Sequence, residues 1–179
     1  MLTRLLFVAS LALVSVPACD SSSPAPACTG TGCACAGPSC TCNAGADCKA
    51  TCDAAGCALT CSTAAKCNAM TTGPATLTCH DSSECKGVGG DHSQVTCDGS
   101  SKCELKAGAS STASCLNTAS CKFDLGGSST VTCEAGSSCD IKCQGNCTVT
   151  CAATACKVTC IDGSAGTKCT DGRVVCGAC

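Results

Sequence analysis

The chain has 179 residues, 27 of them Cys and 19 Gly, with two Phe and neither Trp nor Tyr. Eleven basic side chains stand against 13 acidic ones for a net charge of -2, so no basic field marks a nucleic-acid partner. The length suits one domain, and the scarcity of aromatic residues excludes a core of the ordinary kind.

Residues 1–18 read as a secretory signal: Arg4 near the start, an apolar run from Leu5 to Val16, then small residues before Cys19. The run is too short for a stable membrane span. Its end, "VPAC", resembles the lipobox of bacterial lipoproteins. That resemblance implies a lipid on Cys19, a membrane partner through it, and a place on the bacterial cell envelope, at the outer membrane or cell surface. Removing Cys19 from the 27 cysteines leaves an even number, which can pair completely. Residues 19–27, ending in "DSSSPAPA", read as lipid anchor and flexible tether.

Residues 28–42 hold Cys28, Cys33, Cys35, Cys40 and Cys42 and read as an N-terminal cap. The stretch "CACAGPSCTC" is locally similar to metallothionein spacing. An exported chain meets an oxidising compartment, however, where disulfides are the default, so neither a metal nor any cofactor is expected. From Cys19 onward only fifteen residues are Leu, Ile, Val or Phe, far under the roughly 20% below which chains stay disordered. Sulfur has to supply the missing cohesion.

Residues 43–179 read as the structured repeat with a C-terminal cap. Cys61, Cys79, Cys97, Cys115, Cys133, Cys151 and Cys169 recur at a fixed step of 18, and Cys67, Cys85, Cys103, Cys121 and Cys139 keep the same step before slipping by one to Cys156. A short fixed period is the mark of a solenoid. Each repeat carries two strand-like pieces, "TVTC" and "CDIK" in their clearest forms, whose residues alternate between two faces. Gly, Ser, Asp and Asn form the turns between them. The predicted fold is an all-β, disulfide-stapled parallel β-solenoid of about seven coils, a rod about 35 Å long at about 4.8 Å per coil. Two sheets are preferred; a three-sided coil is the alternative, because Gly73, Ala109, Gly127 and Gly145 fall six residues past the second cysteine column.

Outward positions stacked 18 apart alternate in sign: Lys86, Glu104, Lys122, Asp140, and beside them Lys106, Asp124, Lys142. Opposite charges across a strand ladder are favourable and like charges are not, so the alternation supports this register. The inward cysteines flanking each turn predict bridges Cys61–Cys67, Cys79–Cys85, Cys97–Cys103, Cys115–Cys121, Cys133–Cys139 and Cys151–Cys156. Sequential pairing extends to 42–48, 52–57 and 143–147, and at the ends to 28–33, 35–40, 160–169 and 176–179. Vertical pairing between coils is the rival, since stacked positions also fall within disulfide reach.

Thr-x-Thr strands with internal disulfides resemble the insect hyperactive antifreeze proteins, over Cys61 to Cys151. That resemblance implies a possible binding face on Thr76, Thr78, Thr96, Thr112, Ser114, Thr130, Thr132, Thr148 and Thr150, with Gln94 interrupting it. No enzyme is expected: His80 and His92 read as solvated turn residues, and "CGAC" at Cys176 to Cys179 reads as structural. The expected function is a non-catalytic, lipid-anchored structural or adhesive module. Its partner would be a protein, a glycan or its own copies stacked end to end. Ice or crystalline-surface binding through the threonines is the second expectation, and redox or metal handling the third.

Overall fold

The computed structural model describes residues 26–52, 56–152 and 155–179; the signal, Cys19 and most of the tether lie outside them. The repeat closes into a two-sheet parallel β-solenoid in which each coil stacks on the next 18 residues later, as Cys103 does on Cys121. One sheet, the threonine sheet, stacks Ser39–Cys42, Cys57–Cys61, Ala75–Cys79, Gln94–Cys97, Thr112–Cys115, Thr130–Cys133 and Thr148–Cys151 in parallel. The other, the charged sheet, stacks Asp47–Cys52, Lys66–Thr71, Glu84–Gly89, Lys102–Ala107, Ser120–Gly126, Ser138–Gln144 and Ala155–Cys160. These strands make seven rungs joined by about six turns. No third side forms: Gly73, Ala109, Gly127 and Gly145 all lie in the turn after a charged strand. The parallel stack begins at Ser39, inside the segment read as the N-terminal cap.

Short antiparallel strands cover the ends. Cys33–Ala36 lies against Ser39–Cys42, and Ala27–Thr29 against Asp47–Cys52. At the other end Arg173–Val175 pairs with Thr148–Thr150 and with Thr167–Lys168. Reversing the strand direction over an open edge blocks continued stacking, a common protection against edge-to-edge association.

Alternation within each strand sends every second residue inward. The inward column of the charged sheet runs Ala50, Ala69, Gly87, Leu105, Phe123, Ile141, Val158. The threonine sheet contributes Cys40, Leu59, Leu77, Val95, Ala113, Val131 and Val149. Within a coil the two columns compensate in size: Leu77 shares its coil with Gly87, and Ala113 shares its coil with Phe123. Leu59, Leu77, Ala69 and Leu105 line one internal void that admits no water. A side chain at Gly87 would put its Cβ 2.5 Å from the Ala69 carbonyl oxygen, so that coil closes tightly only with glycine.

The two corners of the coil are held by different chemistry. At the first, between threonine strand and charged strand, sulfur closes the turn: Cys61–Cys67, Cys79–Cys85, Cys97–Cys103, Cys115–Cys121, Cys133–Cys139 and Cys151–Cys156 are all bridged. Their Cα separations of 6.2 to 6.6 Å suit a disulfide. Bridging is therefore within coils, not between them.

At the second corner, three central coils use serine. Ser93, Ser111 and Ser129 are buried, and their hydroxyls donate to the carbonyls of Gly90, Gly108 and Gly126 at 2.7, 2.8 and 2.7 Å. The same oxygens accept from the next coil: Ala75 N–H to Ser93 at 3.2 Å, Ser93 N–H to Ser111 at 3.1 Å, Ser111 N–H to Ser129 at 3.1 Å. Each serine thus closes its own turn and ties two coils. Replacing Ser111 by alanine leaves the buried Ser93 N–H and Gly108 carbonyl without this partner, a loss of about 1–3 kcal/mol. Ser111→Ala should accordingly lower the midpoint of chemical unfolding more than Ser110→Ala in the same turn, where Ser110 is exposed.

Several end pairings differ from the sequence reading. Cys52–Cys57 and Cys35–Cys40 are bridged. Cys160 joins Cys176 and Cys169 joins Cys179, instead of 160–169 and 176–179. The cause is the antiparallel cap: it abandons the 18-residue step and carries Cys176 under Cys147, whose carbonyl accepts the Cys176 N–H at 3.2 Å. Cys143 and Cys147 are buried thiols in place of the expected bridge, and Cys28 is a thiol rather than the partner of Cys33.

Candidate functional site: the threonine sheet

The outward residues of the threonine sheet form two straight columns. One runs Ser39, Ala58, Thr76, Gln94, Thr112, Thr130, Thr148. The other runs Thr41, Thr60, Thr78, Thr96, Ser114, Thr132, Thr150, a hydroxyl on every rung. All nine residues proposed from sequence lie on this face. Gln94 interrupts only the first column, and Thr41 and Thr60 lengthen the second beyond the sequence reading. Parallel pairing spaces the hydroxyls about 4.8 Å from coil to coil and nearly 7 Å along a strand. None of these fourteen positions is charged.

The charged sheet is the opposite. Its outward residues form a checkerboard in which unlike charges neighbour one another both across and along strands. Across the ladder Asp47 meets Lys66, Lys66 meets Glu84, Glu84 meets Lys102, and in the next column Glu104 lies between Lys86 and Lys122. Glu104 contacts Lys122 at 3.2 Å and Lys86 at 3.8 Å, and Lys106 reaches Asp124 at 3.9 Å. The hydrogen bond from Lys122, then the charges of Lys122 and Lys86, hold the Glu104 carboxyl below its ordinary range. Exposed pairs of this kind add little stability; their effect is on register, because a slipped strand would set like charges together.

Glu104→Lys would place a lysine among Lys86, Lys122, Lys102 and Lys106. A lower melting temperature is expected at low ionic strength, the difference shrinking in high salt as screening shortens the repulsion. Because the carboxyl's folded pKa is depressed, the wild-type contribution is present at neutral pH. It disappears as pH falls through that value, so the two proteins should converge on acidification.

The remaining candidates do not assemble into a site. His80 sits at the first corner with Nδ1 3.9 Å from Asp98, and exposed His92 lies in the second-corner turn. Asp98 is held below the usual carboxylate range by hydrogen bonds from the Asn117 amide and the Gly99 N–H, with His80 contributing least. These residues stack as a ladder of turn contacts. The "CGAC" cysteines are divided between two bridges and form no Cys-x-x-Cys pair. Cys143 is held protonated, chiefly by its hydrogen bond to Cys147, while that bond lowers the pKa of Cys147.

Five groups of three sulfurs lie within 4.8 Å among the described residues, for example Cys79, Cys85 and Cys103. Each group contains bridged cysteines, and a bridged sulfur carries no thiolate charge for a cation. A shallow groove of about 380 Å³ between Lys102, Glu104, Lys122 and Asp140 is lined by both signs and opens over the corner disulfides.

No protein-family model, curated protein or solved structure matches the chain. What the fold defines is a class: a disulfide-rich, two-sheet β-solenoid, whose many bridges suit an oxidising environment outside the cytoplasm.

Proposed function

We propose that this protein is a non-catalytic binding rod tethered to the bacterial envelope by a lipid on Cys19, with the threonine sheet as its working surface. The carrying observation is the segregation of charge. Thirteen outward positions of one sheet are Lys, Asp or Glu, while the outward positions of the other have none. A face of repeated hydroxyls on a stiff support suits a partner that also repeats, such as an insoluble glycan. Adhesion by many weak, evenly spaced contacts is then favoured over a single pocket.

A second reading, ice binding, is supported by the hydroxyl on all seven rungs from Thr41 to Thr150. Sedimentation with microcrystalline polysaccharide and thermal hysteresis in ice separate the two. Retention on the glycan without hysteresis supports adhesion; hysteresis supports ice binding; neither result removes the threonine face from function. The tether has its own test: the intact mass of membrane-extracted protein should show a diacylglyceryl addition on Cys19, and Cys19→Ser should move the protein to the soluble fraction.

A further inference from the structure

Cys42 and Cys48 occupy the two corner columns that carry a bridge in later coils, stacking on Cys61 and Cys67. They are bridged to each other. At this first rung there is no preceding coil, and the antiparallel strand Cys33–Ala36 takes its place, setting Cys33 directly opposite Cys42. The Cys48 sulfur consequently faces two partners at bonding contact, Cys42 and Cys33. All three sulfurs lie within 4.8 Å of one another. A sulfur holds one disulfide at a time, so three sulfurs here share a single bridge.

We propose that Cys33, Cys42 and Cys48 form a thiol–disulfide exchange site at the N-terminal end of the rod. The Cys33 thiolate attacks the Cys48 sulfur; the Cys42–Cys48 bond breaks as the Cys33–Cys48 bond forms. The electron pair leaves on Cys42, which takes up a proton equivalent to the one Cys33 gave up. Nothing is oxidised or reduced overall, and no outside reagent is needed. The two states differ in accessibility. Cys42 is fully buried and Cys33 half-buried, so the bridge to Cys42 leaves the reachable thiol and the bridge to Cys33 hides it. The neighbouring Cys28 lies against the Cys35–Cys40 bridge, and partial burial raises its pKa, which makes it the poorer nucleophile.

The test maps linkages in the full-length protein. Thiols are trapped with maleimide in acid, and the unreduced chain is cut before Asp47 and Asp53, isolating Cys48 on the peptide 47–52. Fragmentation of the joined peptides is expected to find Cys48 linked to Cys42 in one population and to Cys33 in another, with maleimide on the complementary cysteine. Cys33→Ser should leave only the Cys42 linkage and Cys42→Ser only the Cys33 linkage, each with the wild-type circular-dichroism spectrum. A single linkage to Cys48 in the wild-type protein, or maleimide on Cys48 in folded Cys42→Ser, would overturn the proposal. The wild-type map decides the matter even where a variant does not fold.

Discussion

Reduction of the native protein without denaturant is expected to erase its β-sheet circular-dichroism signal altogether, not simply to lower its melting temperature. The reason lies in what fills the coil. Apart from Phe123, Leu59, Leu77, Leu105, Leu125, Ile141 and a few valines, the buried apolar positions are Cys and Ala. A loop of about six residues closed by a bridge is worth about 2 kcal/mol in the chain-entropy account. Six first-corner bridges together would approach 10 kcal/mol, comparable with the whole stability of a small domain, about 5–15 kcal/mol. Removing that contribution leaves a chain whose remaining core is too thin to offset its conformational entropy. The loss should be cooperative along the rod, because each coil buries its faces only against its neighbours. A reduced protein that keeps its sheet signal would show that the apolar columns suffice alone.

Thr132→Lys is expected to abolish binding through the threonine sheet while leaving the fold intact. Thr132 is exposed and stacked between Ser114 and Thr150. A lysine there stands above the plane of the face, carries a strongly hydrated charge and breaks the hydroxyl column near its middle. A surface that works by continuous match loses far more than one contact. The control is Lys122→Thr on the charged sheet, which removes an exposed charge and leaves the opposite face untouched. Glycan retention or hysteresis lost in the first variant and kept in the second locates the working surface. Equal behaviour of the two variants would place it elsewhere.

The step of 18 was legible because cysteines mark it on every coil, and strict alternation in "TVTC" then decided which residues face inward. The six first-corner bridges and the ladder from Lys86 to Asp140 follow from that register alone. The Thr41 and Thr60 rungs were hidden by one extra residue: Cys42 to Cys61 is a step of 19, so the column breaks in sequence while remaining straight in space. The serine ladder was hidden differently. Gly90, Gly108 and Gly126, each followed three residues later by Ser93, Ser111 or Ser129, repeat with the period. Serine in a turn nevertheless reads as solvated until the coils are stacked and its hydroxyl is enclosed. The end pairings were illegible because antiparallel caps obey no repeat. Cys160 reaches Cys176 through a reversal of chain direction that spacing does not encode.

The most direct measurement is the linkage of a central pair in the unreduced protein after trypsin, which cuts behind Lys102, between Cys97 and Cys103. Corner stapling within each coil predicts that the peptide ending at Lys102 stays joined to the one beginning at Cys103 until reductant is added. Finding Cys97 joined instead to Cys115, or alkylated as a thiol, would contradict the claim that sulfur closes every coil upon itself.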